Sequence, residues 1–207
     1  MWRISRIKGT DRKKIIDYIE KVKPSAVIHT VAFPNVDFCE TNHELTDLLH
    51  VKITKEISEI CNTINSKLIY FSTGYVYAGT KGNYKENDGA NPFNNYGLSK
   101  LGGESAVRML PNSLVLRITM TEKPFIYNKA YSNLKSNFMF HEDLVGLLPK
   151  IINKKGIINI GGPSQSIYAF AKKYNNKIKK ISAKKYSDLP LNQTMNLNKL
   201  KKILWKN

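Results

Sequence analysis

The sequence predicts an α/β fold organised around a parallel sheet, and three observations carry that expectation. Segments with strand-like and helical patterning alternate along the chain. One apolar run, Lys67-Leu68-Ile69-Tyr70-Phe71, ends in the hydroxyl pair Ser72-Thr73, followed by Gly74-Tyr75-Val76-Tyr77. Beyond a loop marked by Asn91-Pro92, a helical pattern opens on Tyr96 and carries Lys100 one turn later.

The elements follow in order. Thr10 reads as the N-cap of a helix over Asp11–Val22, with Ile15, Ile16, Ile19 and Val22 on one face, and Pro24 ends it. A strand over Ala26–Val31 comes next. Helical spacing of Leu45, Leu48, Leu49, Ile53, Ile57, Ile60 and Ile64 predicts a helix over Glu44–Thr63. Strand Lys67–Ser72, a long loop to Asn95, helix Tyr96–Met109 and strand Ser113–Ile118 complete the first part. In that helix Leu101, Ala106, Val107 and Leu110 are apolar and Glu104 reads as a polar position. Residues 119–140 read as an irregular segment. Helix Glu142–Asn153, strand Ile157–Ile160, helix Ile167–Tyr174 and a last helix over Asn196–Leu204 close the chain. No repeat or flexible linker divides it. The expected organisation is a core over 1–118 and a small substrate-binding C-terminal region over 119–207, packed on the same domain.

Composition bounds the function. The chain has 207 residues, 42% hydrophobic and 24% charged, enough for one globular domain with a real core. No apolar run is long enough to span a membrane, and the N-terminus lacks signal-peptide patterning. Cys39 and Cys61 give no disulfide framework, so a reducing, cytoplasmic setting is the expectation. The net charge of +17 comes mainly from lysines scattered over the whole chain, and no RNA-binding signature or helix-turn-helix pattern accompanies it. No specific nucleic-acid partner is therefore expected. His29 lies within a strand and reads as a core histidine. His43, His50 and Cys39 lack metal-ligand spacing, and no metal site is expected.

Tyr96 and Lys100 point to acid–base chemistry. The same spacing recurs at Tyr77/Lys81, Tyr131/Lys135 and Tyr168/Lys172, which read as accidents of a lysine-rich chain. Only Tyr96/Lys100 follows a strand that ends in hydroxyls. Residues four apart share a helix face, so an ammonium at Lys100 would favour the ionised phenol of Tyr96. Poising a tyrosine near pH 7 needs roughly 4 kcal/mol. With Thr73 as a second hydroxyl, the group is a proton donor and carbonyl polariser for a ketone.

In these residues the chain resembles the extended short-chain dehydrogenase/reductase family, in its dTDP-4-dehydrorhamnose reductase branch. Val22 to Ala32 is similar to the family's fourth strand and the start of its nicotinamide-side loop. Asn35-Val36-Asp37-Phe38-Cys39-Glu40, Ser72-Thr73-Gly74-Tyr75-Val76-Tyr77-Ala78-Gly79, Tyr84-x-Glu86, and Pro92-x-x-x-Tyr96-Gly97-x-Ser99-Lys100-Leu101-x-Gly103-Glu104 resemble its ordered motifs. So do Leu116-Arg117 and Gly156 to Gly162, and the resemblance covers roughly residues 8 to 204. It implies an incomplete Rossmann-like sheet with helices on both faces. By its terms Thr73 polarises the carbonyl, Tyr96 donates the proton, and Lys100 lowers the tyrosine pKa and binds the nicotinamide ribose. Thr30, Val31, Ala32 and Ser72 line the cofactor, NADPH or NADH, while Tyr75, Val76 and Arg117 meet the substrate. Arg117 is equally well read as a tie between loops.

The chain departs from the pattern at three places. Gly74 stands where the branch usually has Asp, and His50 where many members have Asn. The opening Met1-Trp2-Arg3-Ile4-Ser5-Arg6-Ile7 carries no strand–Gly-x-x-Gly-x-x-Gly–helix, the segment that seats a pyrophosphate on backbone N–H groups. Weak cofactor binding is expected of this chain alone. The Ala26–Val31 strand would be a long apolar edge, open to a second copy or a complementing chain. A truncated gene product, a split enzyme and a repurposed fold all fit that expectation. The resemblance implies a reductase of a 4-keto-6-deoxy sugar nucleotide, in dTDP-rhamnose biosynthesis. The alternative is a non-catalytic binding or regulatory subunit, as in the methionine adenosyltransferase subunits that resemble this branch.

Overall fold

The structure, a computed structural model, describes residues 7–184 and 189–205. The opening Met1–Arg6 of the expected departure lies outside the described residues. Asp11, not Thr10, caps the first helix, α1 (Arg12–Val22), accepting from the Lys14 N–H. Strand β1 (Ala26–His29) is two residues shorter than expected, because its pairing with the next strand stops at His29↔Tyr70. A short helix that the periodicity does not show, α2 (Val36–Thr41), is capped by Asn35. Six residues make too few turns to leave a periodic signal. The single long helix expected next is three stretches in sequence: α3 (His43–Asp47), a π-helical turn (Leu48–Lys52) and α4 (Ile53–Thr63).

Strand β2 (Lys67–Thr73) runs into a 3₁₀ turn (Gly74–Val76). Helix α5 (Asn95–Arg108) and strand β3 (Ser113–Ile118) follow. The segment expected to be irregular holds four short strands: β4 (Met120–Thr121), β5 (Lys129–Tyr131), β6 (Lys135–Ser136) and β7 (Met139–Phe140). Helix α6 (His141–Ile151), strand β8 (Gly156–Ile160), strand β9 (Gln165–Ser166), helix α7 (Ile167–Lys172), strand β10 (Lys179–Ile181) and helix α8 (Asn198–Trp205) complete the chain.

The main sheet is parallel with order β1-β2-β3-β8. Alternate residues of each strand face opposite layers. Leu68, Tyr70 and Val115 pack with Ile53, Ile57 and Val107, under α4 and α5. Ile69, Leu114, Leu116 and Ile118 pack with Leu144, Ile151 and Leu200, under α6 and α8. The division expected at residue 118 therefore cuts through one sheet. β8 pairs with β3 from Leu114↔Gly156 to Ile118↔Ile160, and α6 and α8 cover the same core. What stands apart is a smaller cluster of Phe125, Ala130, Phe140, Phe170, Ala171 and Ile178, beside the parallel pair β5–β10. Among the described residues β1 is a sheet edge. It is four residues long with half-buried Ala26, Val27 and Ile28, so the open edge is shorter than the sequence suggests. Among the described residues no helix is long and apolar enough to cross a membrane, and no group of acidic, His or Cys side chains has metal-site geometry.

Candidate active site

The site forms where the parallel strands end, the edge at which doubly wound sheets bind their ligands. β2 delivers Thr73, whose hydroxyl accepts from the Tyr75 N–H and starts the 3₁₀ turn. α5 delivers Tyr96 and Lys100. Its N-terminus is fixed twice: Asn94 accepts from the Gly97 N–H at 2.8 Å, and the Glu40 carboxylate accepts from the Asn95 backbone and side chain, each at 2.7 Å. Helical spacing turns Gly97, Lys100, Gly103, Glu104 and Val107 toward the sheet. Gly103 makes that approach possible, since a Cβ there would run into the His50 carbonyl and the Tyr70 phenol.

The Thr73 hydroxyl stands near the Tyr96 phenol and favours its ionised form. Tyr75 and His50 meet the Tyr96 ring edge-on, with centroids 5.8 and 5.9 Å away. The Lys100 side chain is buried, and its Nζ lies 4.2 Å from the centre of the Tyr70 ring. Among the described residues no carboxylate is within ion-pair distance of that ammonium. Burial governs both ionisable groups. It pushes the Tyr96 phenol up to about 12, against the Thr73 hydroxyl, and pushes Lys100 down to about 7, against the attraction of Glu104. The expected depression of the tyrosine by the lysine is thus not a property of the chain by itself. Desolvation also holds His29 and His50 down to about 3, with Lys100 adding repulsion to both. His29 is the core histidine anticipated from its strand position, with Nε2 2.9 Å from Thr54 Oγ1.

Three of the expected ligand-facing residues point inward instead. Arg117 is only 2% exposed and pairs with Glu104 at 2.7 Å, while its other terminal nitrogen donates to the Tyr77 phenol at 2.9 Å. The Ser72 hydroxyl donates to the same Glu104 carboxylate. Val76 is fully buried against Tyr77, Tyr84 and Met195. Arg117 therefore ties β3 to α5 and to the loop after β2, and Ser72 belongs to that tie. Tyr75 stays at the site, half-buried against Phe93 and Tyr96. Thr30 and Val31 are exposed and Ala32 half-buried, in the loop beyond β1.

Glu104 read as a polar helix position, yet it is fully buried. Its signal was the spacing of seven from Gly97 and three from Val107, combined with a strand arginine in need of a partner. Tyr77, dismissed as chance spacing, joins Arg117, Asn159 and the Lys85 carbonyl through its hydroxyl. Two open concavities, of about 710 Å³ along α1 and α4 and about 470 Å³ between α6 and α8, include none of Thr73, Tyr96 or Lys100.

Comparison with known proteins shows the fold and the family. The chain is 29% identical over 164 residues to a dTDP-4-dehydrorhamnose reductase of Aggregatibacter actinomycetemcomitans, covering 78% of this chain and 52% of that one. It is 35% identical over 97 residues to the methionine adenosyltransferase 2 subunit beta of Xenopus laevis, covering 47% and 29%. A hypothetical dTDP-4-dehydrorhamnose reductase from Sulfolobus tokodaii superposes with a TM-score of 0.85 at 25% identity, over 98% of this chain and 84% of that one. The NADP complex of the Bacillus anthracis dTDP-4-dehydrorhamnose reductase superposes at 0.83 with 22% identity, over 94% and 79%. The chain spans about half or less of the length of the two curated relatives. The family description RmlD substrate binding domain matches residues 3–140, well over half of the sequence and all of the Thr73, Tyr96 and Lys100 site, and the chain belongs to that family.

Proposed function

We propose that the chain carries the proton-donating part of an NAD(P)-dependent reductase of a 4-keto-6-deoxy sugar nucleotide. The observation that carries the reading is the meeting of Thr73 and Tyr96 at the end of β2, with Lys100 buried one turn further along α5. Tyr96 donates its phenolic proton to the oxygen of the ketone as that oxygen gains negative charge. Thr73 donates a second hydrogen bond to the same oxygen, which holds it 2.6–3.2 Å from both donors in a productive pose. A bound nicotinamide cofactor supplies the hydride. The ketone thus gains one hydride and one proton and leaves as the alcohol, and Tyr96 is left as a phenolate that regains its proton from solvent. A phenol near 12 is a weak acid, which suits a donor that must not ionise before the ketone is in place.

The residues at hand fit the nicotinamide side of such a cofactor: Thr30 and Val31 are exposed and Ala32 half-buried beyond β1, and Lys100 is a buried donor with no carboxylate in ion-pair reach among the described residues. The glycines do not supply the pyrophosphate side. Gly102 and Gly103 lie in α5, and Gly161 and Gly162 pack on Asn137 and Phe138. The 207-residue chain alone should therefore bind NADPH or NADH weakly, and a second copy or a complementing chain at β1 is the partner this reading calls for. A cytoplasmic setting goes with it.

The test is steady-state reduction of a 4-keto-6-deoxy sugar nucleotide by NADPH and NADH, with the chain joined to a strand–Gly-x-x-Gly-x-x-Gly–helix segment that seats the pyrophosphate and Tyr96→Phe in the same form as the comparison. The variant should lose about 10² to 10⁴ in kcat with cofactor affinity unchanged. Equal rates would remove the assignment. A second reading, a binding subunit without turnover, is favoured by the likeness to the methionine adenosyltransferase 2 subunit beta. It predicts that neither form turns over.

A further inference from the structure

His50 sits in the one π-helical turn among the described residues, fully buried, between the loop that follows β1 and the first turns of α5. Its hydrogen bonds settle where the ring proton lies. The Phe33 backbone N–H, which can only donate, lies 2.8 Å from Nε2. Nε2 is therefore the bare nitrogen, and Nδ1 carries the proton. Nδ1 lies 2.8 Å from the Ser99 hydroxyl, which passes its own hydrogen to the Tyr96 carbonyl at 2.9 Å. Every polar atom in the relay from Phe33 N–H through His50 and Ser99 to the Tyr96 carbonyl has a partner of the right sense. The ring also packs edge-on to Tyr96 and lies 6.1 Å from the Phe33 ring.

The surroundings make the arrangement stiff. The Phe33 carbonyl accepts from the Cys39 thiol, so both backbone polar groups of Phe33 are held. Glu40, at the end of the same segment, holds Asn95 at the start of α5. The His50 carbonyl lies where any Cβ at position 103 would stand, which puts the π-helical turn directly on the α5 backbone. A π turn adds one residue to a helical repeat, and here it turns the imidazole across the gap.

We infer that His50 is a positioning residue: it clamps the Thr30–Asn35 loop to the turn of α5 that carries Tyr96, and so sets the spacing between the loop and the phenol. The inference rests on the function proposed above only for the consequence of that spacing. If the loop lines the nicotinamide and Tyr96 donates the proton, the clamp fixes the ketone between hydride and proton. A misplacement of about 1 Å at such a site costs up to about 10²-fold in rate.

The test uses the 207-residue chain as wild type, His50→Leu and His50→Gln. Gln offers one acceptor and one donor, as the imidazole does; Leu offers neither. Long-range ¹H–¹⁵N correlation should show Nδ1 protonated and Nε2 bare near neutral pH. Hydrogen exchange should find the Phe33 amide faster by about tenfold or more in His50→Leu, measured against Leu68 and Tyr70 of β2, and within about threefold of wild type in His50→Gln. A protonated Nε2, or a Phe33 amide unmoved by His50→Leu, overturns the clamp. If His50→Leu does not fold, Ser99→Ala decides: the Nδ1 proton then loses its acceptor and its ¹⁵N shift must move, and an unmoved shift overturns the inference. In the reduction assay His50→Leu should lower kcat by about 10- to 100-fold and His50→Gln should recover most of it. A folded His50→Leu with the wild-type kcat overturns the inference as well. A wild type that does not turn over even when joined to a segment that seats the pyrophosphate sinks the proposed function, while the exchange and tautomer data on the 207-residue chain still decide the clamp.

Discussion

Replacing Lys100 by Met should stabilise this protein, and the gain should depend on pH in a defined way. The ammonium is buried beside an aromatic face, and its pKa falls from 10.5 to about 7. Below pH 7 the lysine is protonated in the folded and the unfolded chain alike, so folding carries the full cost of burying the charge. Between 7 and 10.5 the unfolded chain binds a proton that the folded one does not, so stability rises with pH through that window. A shift of about 3.5 units is worth about 5 kcal/mol at 1.36 kcal/mol per unit. Methionine fills a similar volume but gives up the contact of the cation with the Tyr70 ring, worth about 1–2 kcal/mol. Lys100→Met should therefore gain roughly 3–4 kcal/mol at pH 6, and each kcal/mol raises the midpoint of a chain this long by about 2–4 °C. The gain should shrink steadily toward pH 10.5. Urea unfolding of both forms at pH 6, 8 and 10 measures it. His29 and His50 owe part of their low pKa to Lys100, so below 6.5 they destabilise the two forms unequally, and the change in the difference above pH 7 isolates the lysine. A difference that stays flat from pH 7 to 10 would refute the account, because it would place the lysine in contact with water or a carboxylate.

Two further outcomes follow from the packing around the site. Tyr77→Phe should lower stability by about 1–3 kcal/mol in urea unfolding and leave turnover alone, since its hydroxyl serves Arg117, Asn159 and the Lys85 carbonyl; an unchanged midpoint would show that Arg117 finds other acceptors. Gly74→Asp, which restores the carboxylate usual in the branch the sequence resembles, should cost about 1–3 kcal/mol rather than improve the site, because a Cβ there stands 2.8 Å from Thr119 Oγ1 and 3.5 Å from Met195 Sδ; equal stability with raised kcat would contradict this.

The sheet was legible because its strands are short apolar runs between helical patterns, and strands β2, β3 and β8 fall within a residue of where periodicity places them. The placement of Thr73 at the end of β2 and of Tyr96 and Lys100 at the start of α5 was legible for a different reason, the order of motifs around them. What the sequence concealed depends on partners distant along the chain. Ser72, Val76 and Arg117 lie at strand ends, where a ligand-facing and an inward-facing side chain share the same local pattern. Only the three-dimensional meeting of Glu104, Arg117 and Tyr77, 40 residues apart at the ends, shows that this cluster is a buried tie. Position 118 looked like a boundary because the pattern turns irregular after it, yet β8 returns to the same sheet.

The same limit applied to the ionisation of the site. Four residues of helical spacing suggest that lysine and tyrosine tune one another, but spacing carries no information about water. Burial of Lys100 against Tyr70 removes the hydration that would keep it charged, and burial of Tyr96 raises the phenol at the same time. In the chain alone burial keeps Tyr96 a neutral acid and lowers the pKa of Lys100, which is not the arrangement of a phenolate beside an ammonium. That state is ready to donate a proton. Charge placed against Tyr96 by a bound ligand would set the tyrosine's strength, and the residues in contact with it fix where that charge arrives: Thr73 from β2, Tyr75 from the turn after it, and His50 from the π-helical turn. Positioning, more than a pre-set pKa, is therefore what this fold contributes to the chemistry.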